Sequence, residues 1–336
     1  MPTPATILDI QGRDVRVSNP AKIYFPALGK SKMDLVQYYL SVMEGVVRGG
    51  FERPTSMYRW PNGVDAPDDA FFQKRIPAKG TPEWIESATI TFPSGRTADM
   101  PLIADAAHVV WLVNLGCIDL NPWPVRSGDL DHPDELRVDL DPTPGIPFEH
   151  VRRTALIVND VLKEHGLTGW PKTSGKRGIH IYVRVLPEYD FTEVRRAALA
   201  LAREVERRSE GIATTAWWKE ERTGVFVDYN QNARDRTIAS AHSVRPTPAG
   251  QVSAPLGWDE VADVEIEAFT MDTVPDRVAE RGDPWAGIDD SPVSLDPLLE
   301  LARRDEEGGL GDAPWPPHFP KQKGEPKRVQ PSKSRG

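Results

Sequence analysis

The chain has a single cysteine, Cys117, among its 336 residues. Without a second thiol no internal disulfide can form, and a cysteine-based zinc cluster is excluded. No apolar run approaches the ~20 residues that a membrane span needs. The N-terminus, Met1-Pro2-Thr3-Pro4-Ala5, lacks the basic and apolar stretches of a secretion signal. There are no internal repeats, and a cytoplasmic protein without membrane contact is the expectation. An excess of positive charge is also missing. The net charge is −9, which by itself argues against a nucleic-acid partner. The distribution weakens that objection. Between Pro255 and Asp312 there are 17 acidic residues against 4 arginines, a net −13, so the remainder carries +4. The acid is confined to one C-terminal block, and a locally basic surface suffices for phosphate contacts. With 39% hydrophobic residues the chain can still bury a core.

Three separated pieces carry most of the chemical information. They are Arg137-Val138-Asp139-Leu140-Asp141-Pro142, Thr173-Ser174-Gly175-Lys176-Arg177-Gly178-Ile179-His180-Ile181-Tyr182, and Val225-Phe226-Val227-Asp228-Tyr229. Each pairs a short apolar run with polar residues at alternate positions, the pattern of a half-buried strand. Residues i and i+2 of a strand share a face, so Asp139 and Asp141 point the same way with Cα atoms roughly 6.5 Å apart. Two carboxylates at that spacing can bracket divalent ions about 3.5–4 Å apart, as phosphoryl-transfer sites do. Asp228 can close the cage. Carboxylates flanked by Val, Leu and Phe are costly to bury unless cations offset them. In the second piece, Gly175 and Gly178 let backbone amides approach an anion. Ser174 adds a hydroxyl, and Lys176 and Arg177 add charge. His180, between Ile179 and Ile181, faces away from their apolar side and toward the acidic face. Asp129-Leu130-Asp131 sits in the Pro-, Gly- and Asp-rich loop 121–133 without strand flanks and reads as surface.

Local patterns place these pieces on elements. Residues 5–25 alternate around Gly12-Arg13 and predict a hairpin. Ser31, with Asp34 three residues on, caps a helix over Met33–Val47 that Gly49-Gly50 ends. Asp105 caps a second helix over Ala104–Leu115. Strand 136–141, helix Phe148–Glu164 with Gly166 as its C-terminal stop, strand 178–186, helix 191–208 and strand 225–229 then alternate, which is α/β patterning with the acids on one face. Short helices are expected at Asp259–Ala268 and Leu295–Arg304. From Pro314 the Pro- and Lys-rich composition predicts a disordered basic tail.

The order Asp-x-Asp, then Ser-x-x-x-Gly-x-His on a strand, then a lone Asp after an apolar run resembles the archaeo-eukaryotic primase superfamily. The likeness tightens to the polymerase domain of bacterial ligase D. Ser18-Asn19-Pro20-Ala21-Lys22, Arg59-Trp60-Pro61-Asn62-Gly63-Val64, Phe71-Phe72-Gln73-Lys74, Asn114-Leu115-Gly116-Cys117-Ile118-Asp119-Leu120 and Ser243-Val244-Arg245 support it, from about Val15 to about Pro255. The resemblance implies a mixed α/β (α+β) primase fold with an RRM-like catalytic sheet and a smaller N-terminal α/β module. On that reading residues 1–255 are the primase-polymerase domain, divided near residues 103 and 104. Residues 256–313 are an acidic extension packed on or near it, and 314–336 are the tail.

The resemblance also implies roles. The chain would be a stand-alone, metal-dependent DNA-directed nucleotidyltransferase using NTPs or dNTPs, with two Mn²⁺ or Mg²⁺ ions held by Asp139, Asp141 and Asp228. Ser174, Gly175, Lys176, Arg177, Gly178, His180, Arg222 and Arg245 would handle the nucleotide. Relatives usually have Lys at the Arg177 position, and the stretch around Arg222 is one residue shorter here. Asn121 stands where relatives commonly carry a His implicated in nucleotide binding, and Asn keeps a donor without the charge. Asn19, Lys22 and Lys32 match residues that grip the 5′-phosphate of a downstream strand, which favours gaps and broken ends. Phe71 and Phe72, beside Lys74 and Arg75, suit stacking on a template base, one ring in the core and one outward. Trp60 and Trp111 read as core. The site of action would be cytoplasmic and nucleoid-associated. There is no Lys-x-Asp-Gly ligase motif and no His-rich phosphoesterase stretch, so a separate DNA ligase and the end-joining factor Ku are candidate partners. End joining, excision-repair gap filling and priming stay open. Two other classes compete: a metal-dependent nuclease or phosphoesterase, against which the Ser174–His180 loop argues, and a non-catalytic DNA-end-binding module, against which the three aspartates argue.

Overall fold

The computed structural model describes residues 4–328 except Pro93, His318 and Lys323. The N-terminal half contains β1 (Ala5–Ile10), β2 (Arg13–Ser18), β3 (Ile23–Phe25), β4 (Lys30–Ser31), α1 (Lys32–Ser41), α2 (Met43–Gly50), β5 (Thr55–Arg59), β6 (Phe71–Gln73), β7 (Ser87–Thr91), β8 (Thr97–Pro101), α3 (Ala106–Asn114) and β9 (Cys117–Pro122). The C-terminal half contains β10 (Glu135–Pro142), α4 (Phe148–Glu164), β11 (Trp170–Thr173), β12 (Ile179–Arg184), α5 (Phe191–Arg208), β13 (Ala213–Thr214), β14 (Val225–Asp228), α6 (Val274–Arg281) and α7 (Asp296–Glu307).

The C-terminal half is built on a five-stranded sheet of order β11-β12-β10-β14-β13, antiparallel except for the β13–β14 pair. Strand β10 sits at its centre and obeys the two-residue period of a strand. Leu136, Val138 and Leu140 are buried in the same core as α4 and α5. Glu135, Arg137, Asp139 and Asp141 occupy the other face. In the N-terminal half, β6-β5-β9 form a three-stranded sheet, with β1–β2 and β7–β8 as hairpins. One apolar core runs from Val15 and Val17 through Leu136 and Val158 to Leu298, without interruption between the halves.

Several expectations hold in detail. Ser31 and Asp34 form a reciprocal capping box on α1, and Asp105 caps α3. The hairpin turns on Gln11 and Gly12, both at positive φ. Trp60 and Trp111 are core residues. Other expectations fail for identifiable reasons. The helix over Met33–Val47 is two helices that meet at Val42, where the Ser41 hydroxyl turns back to the Tyr38 carbonyl at 2.7 Å. The second helix lays its glycines on the chain at 240–242: a Cβ on Gly45 would strike His242, and one on Gly49 would come within 2.7 Å of Ser240 Oγ. The seam between the halves does not fall at 103–104, because β9 pairs with β5 and α3 packs on α1 and β2. Residues 259–268 form turns and one short 3-10 turn. Glu260 there accepts from the Gly257 amide and pairs with Arg277 instead of facing solvent on a helix. The described part of the expected disordered tail is ordered. Trp315 is buried against the Arg195 guanidinium, 4.3 Å from its ring centroid, and Glu325 takes the Trp315 amide. Average composition hides such single aromatic anchors.

The N-terminal end of β10 is fastened by a buried ionic cluster. Glu135, 1% exposed, contacts Arg53 Nη2 at 3.0 Å, Arg137 Nη2 at 2.6 Å and Arg184. Burial alone would raise the Glu135 carboxyl, but the guanidiniums of Arg137, Arg53 and Arg184 hold it below the usual carboxylate range. Removing one partner of a buried ion pair strands the others without compensation, at about 3–5 kcal/mol. Glu135→Ala is therefore expected to lower unfolding stability by that amount in urea titration, with the midpoint shifted and the slope preserved.

Candidate active site

Sheet register draws the three sequence pieces into one row. On neighbouring strands Lys172 faces His180, His180 faces Asp139, and Asp139 faces Asp228. Directly opposed residues of antiparallel strands share a face, so the row runs from a buried lysine to two apposed aspartates. Lys172 Nζ is 2.7 Å from His180 Nδ1, and His180 Nε2 is 3.4 Å from Asp139 Oδ1. Gln231 Nε2 spans the two acids, 3.3 Å from Asp139 Oδ2 and 3.1 Å from Asp228 Oδ2. Behind it, the Asn232 amide brackets the Arg137 backbone, accepting its N–H at 2.8 Å and donating to its carbonyl at 2.7 Å. That double bond ties the turn after Asp228 to the centre of the sheet. Lys172, Gln231 and Asn232 were absent from the sequence-based site. A lysine in strand alternation with the Ser174–Gly178 loop, and the Asp-x-x-Gln spacing, were the available signals.

The acids are underneutralised. Burial pushes Asp139 up to about 8, helped by the neighbouring charges of Asp228 and Asp141. Asp228 is raised as well, chiefly by burial. Between the two lies the uncharged Gln231 amide. Among the described residues no three acidic, His or Cys side chains already converge as a finished ligand set. Asp141 lies half-exposed, 3.5 Å from Arg177 Nη2. Crowded, protonation-prone carboxylate oxygens are the donor chemistry that suits a hard divalent cation such as Mg²⁺ or Mn²⁺, and such a charge would return them to the ionised form.

The Ser174–Gly178 loop stands beside this row, but its amides have a partner. Ser174 Oγ accepts from the backbone N–H groups of Lys176, Arg177 and Gly178 at 3.2, 3.2 and 2.9 Å. The loop is thus pre-shaped around its own hydroxyl. The two glycines serve close approach: a Cβ on Gly175, at φ +67°, would strike Arg245, and one on Gly178 would strike the Leu140 carbonyl. Arg245 is held by Asp119, Nη1 to Oδ2 2.8 Å, and Asp119 by the Ser243 hydroxyl at 3.1 Å. Lys176 is exposed, yet desolvation by the surrounding protein, then the charge of Arg245, lowers it. Arg222 donates to the carbonyls of Ala216 and Trp217 and lies over the Phe226 ring, so it braces its own loop. Asn121 is buried on β9, and its amide donates to the Asp119 carbonyl at 3.0 Å. Beyond Asp228, on the side away from the Ser174–Gly178 loop, a cleft of about 400 Å³ is lined by Trp217, Trp218, Arg222, Asp228 and Arg236.

A second cationic group lies on the N-terminal half. The Lys22 amide to Asn19 carbonyl bond and the Lys32 amide to Lys22 carbonyl bond fold the Asn19–Lys22 turn onto the start of α1. Lys22 Nζ reaches the Pro61 carbonyl and Asn62, while Lys32 Nζ reaches the carbonyls of Ser18 and Asn114, each at 2.8 Å. Burial, then repulsion from Lys22, Arg59 and Arg16, pushes Lys32 down to about 8. Phe71 and Phe72 differ from expectation: both are exposed, at 44% and 55%. Strand β6 is a sheet edge, and Phe72 stacks flat on Tyr58 with centroids 4.2 Å apart while Arg59 covers Phe71. Asp129 and Asp131 are surface residues, as expected; Asp129 closes a local turn onto His132.

The family model for the LigD primase-polymerase domain matches residues 31–285. The chain belongs to the LigD primase-polymerase family. It is 32% identical over 311 residues to the multifunctional non-homologous end joining protein LigD of Mycolicibacterium smegmatis, covering 91% of this chain and 40% of that protein. It is 30% identical over 267 residues to the bifunctional LigD of Bacillus subtilis, covering 79% and 42%. The solved polymerase domain of Mycobacterium tuberculosis ligase D in complex with DNA superposes with a TM-score of 0.76 at 31% identity, covering 82% of this chain and 98% of that one. The chain therefore spans about two fifths of the length of these curated relatives and nearly all of a polymerase domain. It has the archaeo-eukaryotic primase fold and is, by class, a DNA-directed nucleotidyltransferase. Among the described residues no helix is long and apolar enough to cross a membrane.

Because Asp139 binds its proton more tightly folded than unfolded, the metal-free fold should lose stability as pH rises from the ordinary aspartate value near 4 through about 8. Differential scanning fluorimetry should show a lower melting temperature at pH 9 than at pH 6 without divalent ions. Mn²⁺ should raise it more at pH 9, and Asp139→Asn should abolish both effects.

Proposed function

We propose that this protein extends a DNA 3′-end with NTPs or dNTPs at gaps or broken ends, in end joining or gap filling. The observation that carries the reading is the row of underneutralised carboxylates beside a basic, hydroxyl-centred loop, on the fold of a ligase D polymerase domain. Asp139, Asp141 and Asp228 would hold two Mn²⁺ or Mg²⁺ ions, which supply Lewis-acid stabilisation of the oxygens at the reacting phosphorus. Ser174, Lys176, Arg177 and Arg245 orient the triphosphate, Gly175 and Gly178 keep the loop close to it, and Asp119 keeps Arg245 aimed. Asn121, held on the Asp119 carbonyl, steadies the same corner. In an in-line displacement the attacking and leaving oxygens lie on opposite sides of the phosphorus. With the triphosphate on the Ser174 side, the 3′-end enters from the cleft beyond Asp228, and the Arg222-braced loop forms its wall.

The Asn19, Lys22 and Lys32 group binds the 5′-phosphate of the downstream strand. The depressed Lys32 supports this, because clustered cations lacking a counter-charge are stabilised by an anion. Phe71 and Phe72 offer exposed ring faces to a template base. The DNA-bound state of the Mycobacterium tuberculosis polymerase domain supports DNA as the partner. Ku and a DNA ligase are the proteins proposed to act with it at breaks, in the cytoplasm at the nucleoid.

The test is extension of a gapped duplex with a 5′-phosphorylated downstream strand, using Mn²⁺ and NTPs or dNTPs. Asp139→Ala is expected to reduce extension roughly a thousandfold, the equivalent of several kcal/mol of lost charge stabilisation. Lys22→Ala should erase a preference of roughly tenfold for the phosphorylated gap while sparing extension of an unphosphorylated one. Wild-type protein that binds the DNA and extends nothing would overturn the reading. The 5′-phosphate preference should also weaken as pH rises through about 8, where Lys32 loses its charge; gap-binding assays at pH 7 and pH 9 with and without the phosphate measure it.

A further inference from the structure

One part of the wall of the cleft beyond Asp228 comes from a segment that lies outside the residues matched by the family model. Pro316 lines the cleft together with Trp217 and Trp218. Arg195 of α5, 1% exposed, holds that segment in place. Its Nε and Nη2 donate to Asn230 Oδ1 at 3.2 and 3.1 Å, and the Asn230 backbone amide donates to Asp228 Oδ1 at 2.9 Å. The same guanidinium donates to Asp312 Oδ1 at 2.8 Å and to the Pro314 carbonyl at 2.9 Å. Trp315 and Phe319 pack on Ala233. The segment is thus seated on the turn that follows one of the acids, and an arginine holds the seat at any working pH.

Its own shape is fixed as well. Prolines 314, 316, 317 and 320 each restrict φ. Glu325, 6% exposed, accepts from the amides of Trp315 at 2.8 Å and Gln322 at 2.9 Å. Arg328 pairs with Glu325, Nη2 to Oε2 2.8 Å, and donates to the carbonyls of Phe319 at 2.7 Å, Pro320 at 3.0 Å and Pro316 at 3.2 Å. Residues 315–328 therefore close into a loop whose one side walls the cleft. Lys321 and Lys327, next to Pro320 and Arg328, are exposed on this loop and meet no acidic side chain among the described residues. From Pro314 onward the sequence has six lysines and arginines against one glutamate, in a chain of net charge −9. Unpaired lysines on a braced loop suit phosphate contacts, which position a strand without reading its bases.

We propose that residues 312–328 grip the phosphate backbone of the strand whose 3′-end enters the cleft. Lys321 and Lys327 make the contacts, and Arg195 is the positioning residue that seats the grip. The choice of strand rests on the polymerase reading, which puts the 3′-end in this cleft; the contact with DNA does not.

Fluorescence anisotropy of the full chain on a primer–template duplex, titrated at several salt concentrations, tests it. Each phosphate contact contributes about 0.9 to the slope of log K against log salt. K321E/K327E should bind roughly tenfold more weakly at physiological salt and lose about two from that slope. K321Q/K327Q should lose about the same from the slope, because neutral side chains remove the contacts without adding repulsion. Trimming the upstream duplex to a short stub should erase the difference between the wild type and both variants. In extension assays the primer KM should rise while the nucleotide KM holds. An unaltered salt slope in both variants overturns the grip. A loss that persists on the trimmed duplex overturns the choice of strand. Both lysines are exposed, so the variants should melt with the wild type. Trp315→Ala, which unseats the loop, should cost little DNA affinity in the K321Q/K327Q background, since residues acting through one another do not add; a full further loss there would mean that the segment acts by bracing Asn230 and not by holding DNA. If the wild type binds DNA and extends nothing, the polymerase reading fails, while the salt slope still decides whether the segment grips DNA.

Discussion

Everything at the site depends on the polar face of one central strand. Along β10, Glu135, Arg137, Asp139 and Asp141 follow one another at the two-residue period. The first pair is neutralised internally: Glu135 sits among three arginines, and its ionised form is favoured. The second pair meets the opposite situation. Asp139 lies against Asp228, with a neutral amide between them and burial working against the charge. The difference lies in what touches the buried carboxylate: three guanidiniums meet Glu135, whereas Asp139 meets a histidine and an amide. One end of the strand is an ionic anchor and the other an unfilled demand for positive charge. The anchor fixes the strand so that the demand is presented at a constant place.

The same principle of placing charge orders the periphery. The acidic C-terminal block does not act as a free polyanion. Asp272 pairs with Lys30, Asp283 with Arg48, Asp289 with Arg184, Asp305 with Arg207 and Asp312 with Arg195. Each contact spends a negative charge of the block on a cation of the domain. The block is thus an electrostatic and apolar brace, with Trp315 stacked on Arg195 as its last fastening. Cations of the two proposed phosphate-binding groups, Lys22 and Lys32 on one half and Lys176 on the other, are left to backbone carbonyls, amides or solvent. That division lets an acidic protein offer basic surfaces where a nucleic acid or a triphosphate would lie.

Local chemistry was enough to read the helix caps at Ser31 and Asp105, the strands carrying Asp139, His180 and Asp228, and the family. These follow from nearest-neighbour rules: a side-chain oxygen caps the amides beside it, and strand alternation sorts polar from apolar within a few residues. The break at Val42, the pairing of β9 with β5, the turns over 259–268 and the ordered Trp315 were not legible. Each is decided by a partner distant in sequence.

The sequence by itself singled out the candidate residues, because Asp-x-Asp on a strand and a Gly-punctuated basic loop are local patterns with local causes. Only the tertiary structure decided how those residues act on one another. It set Asp139 opposite both His180 and Asp228, turned the loop amides onto Ser174, left both Phe71 and Phe72 in solvent, and put Lys172 behind His180 and Gln231 between the acids. The reason is that protonation, tautomer and exposure depend on atoms within a few ångströms in space, and strand register alone chooses which those are.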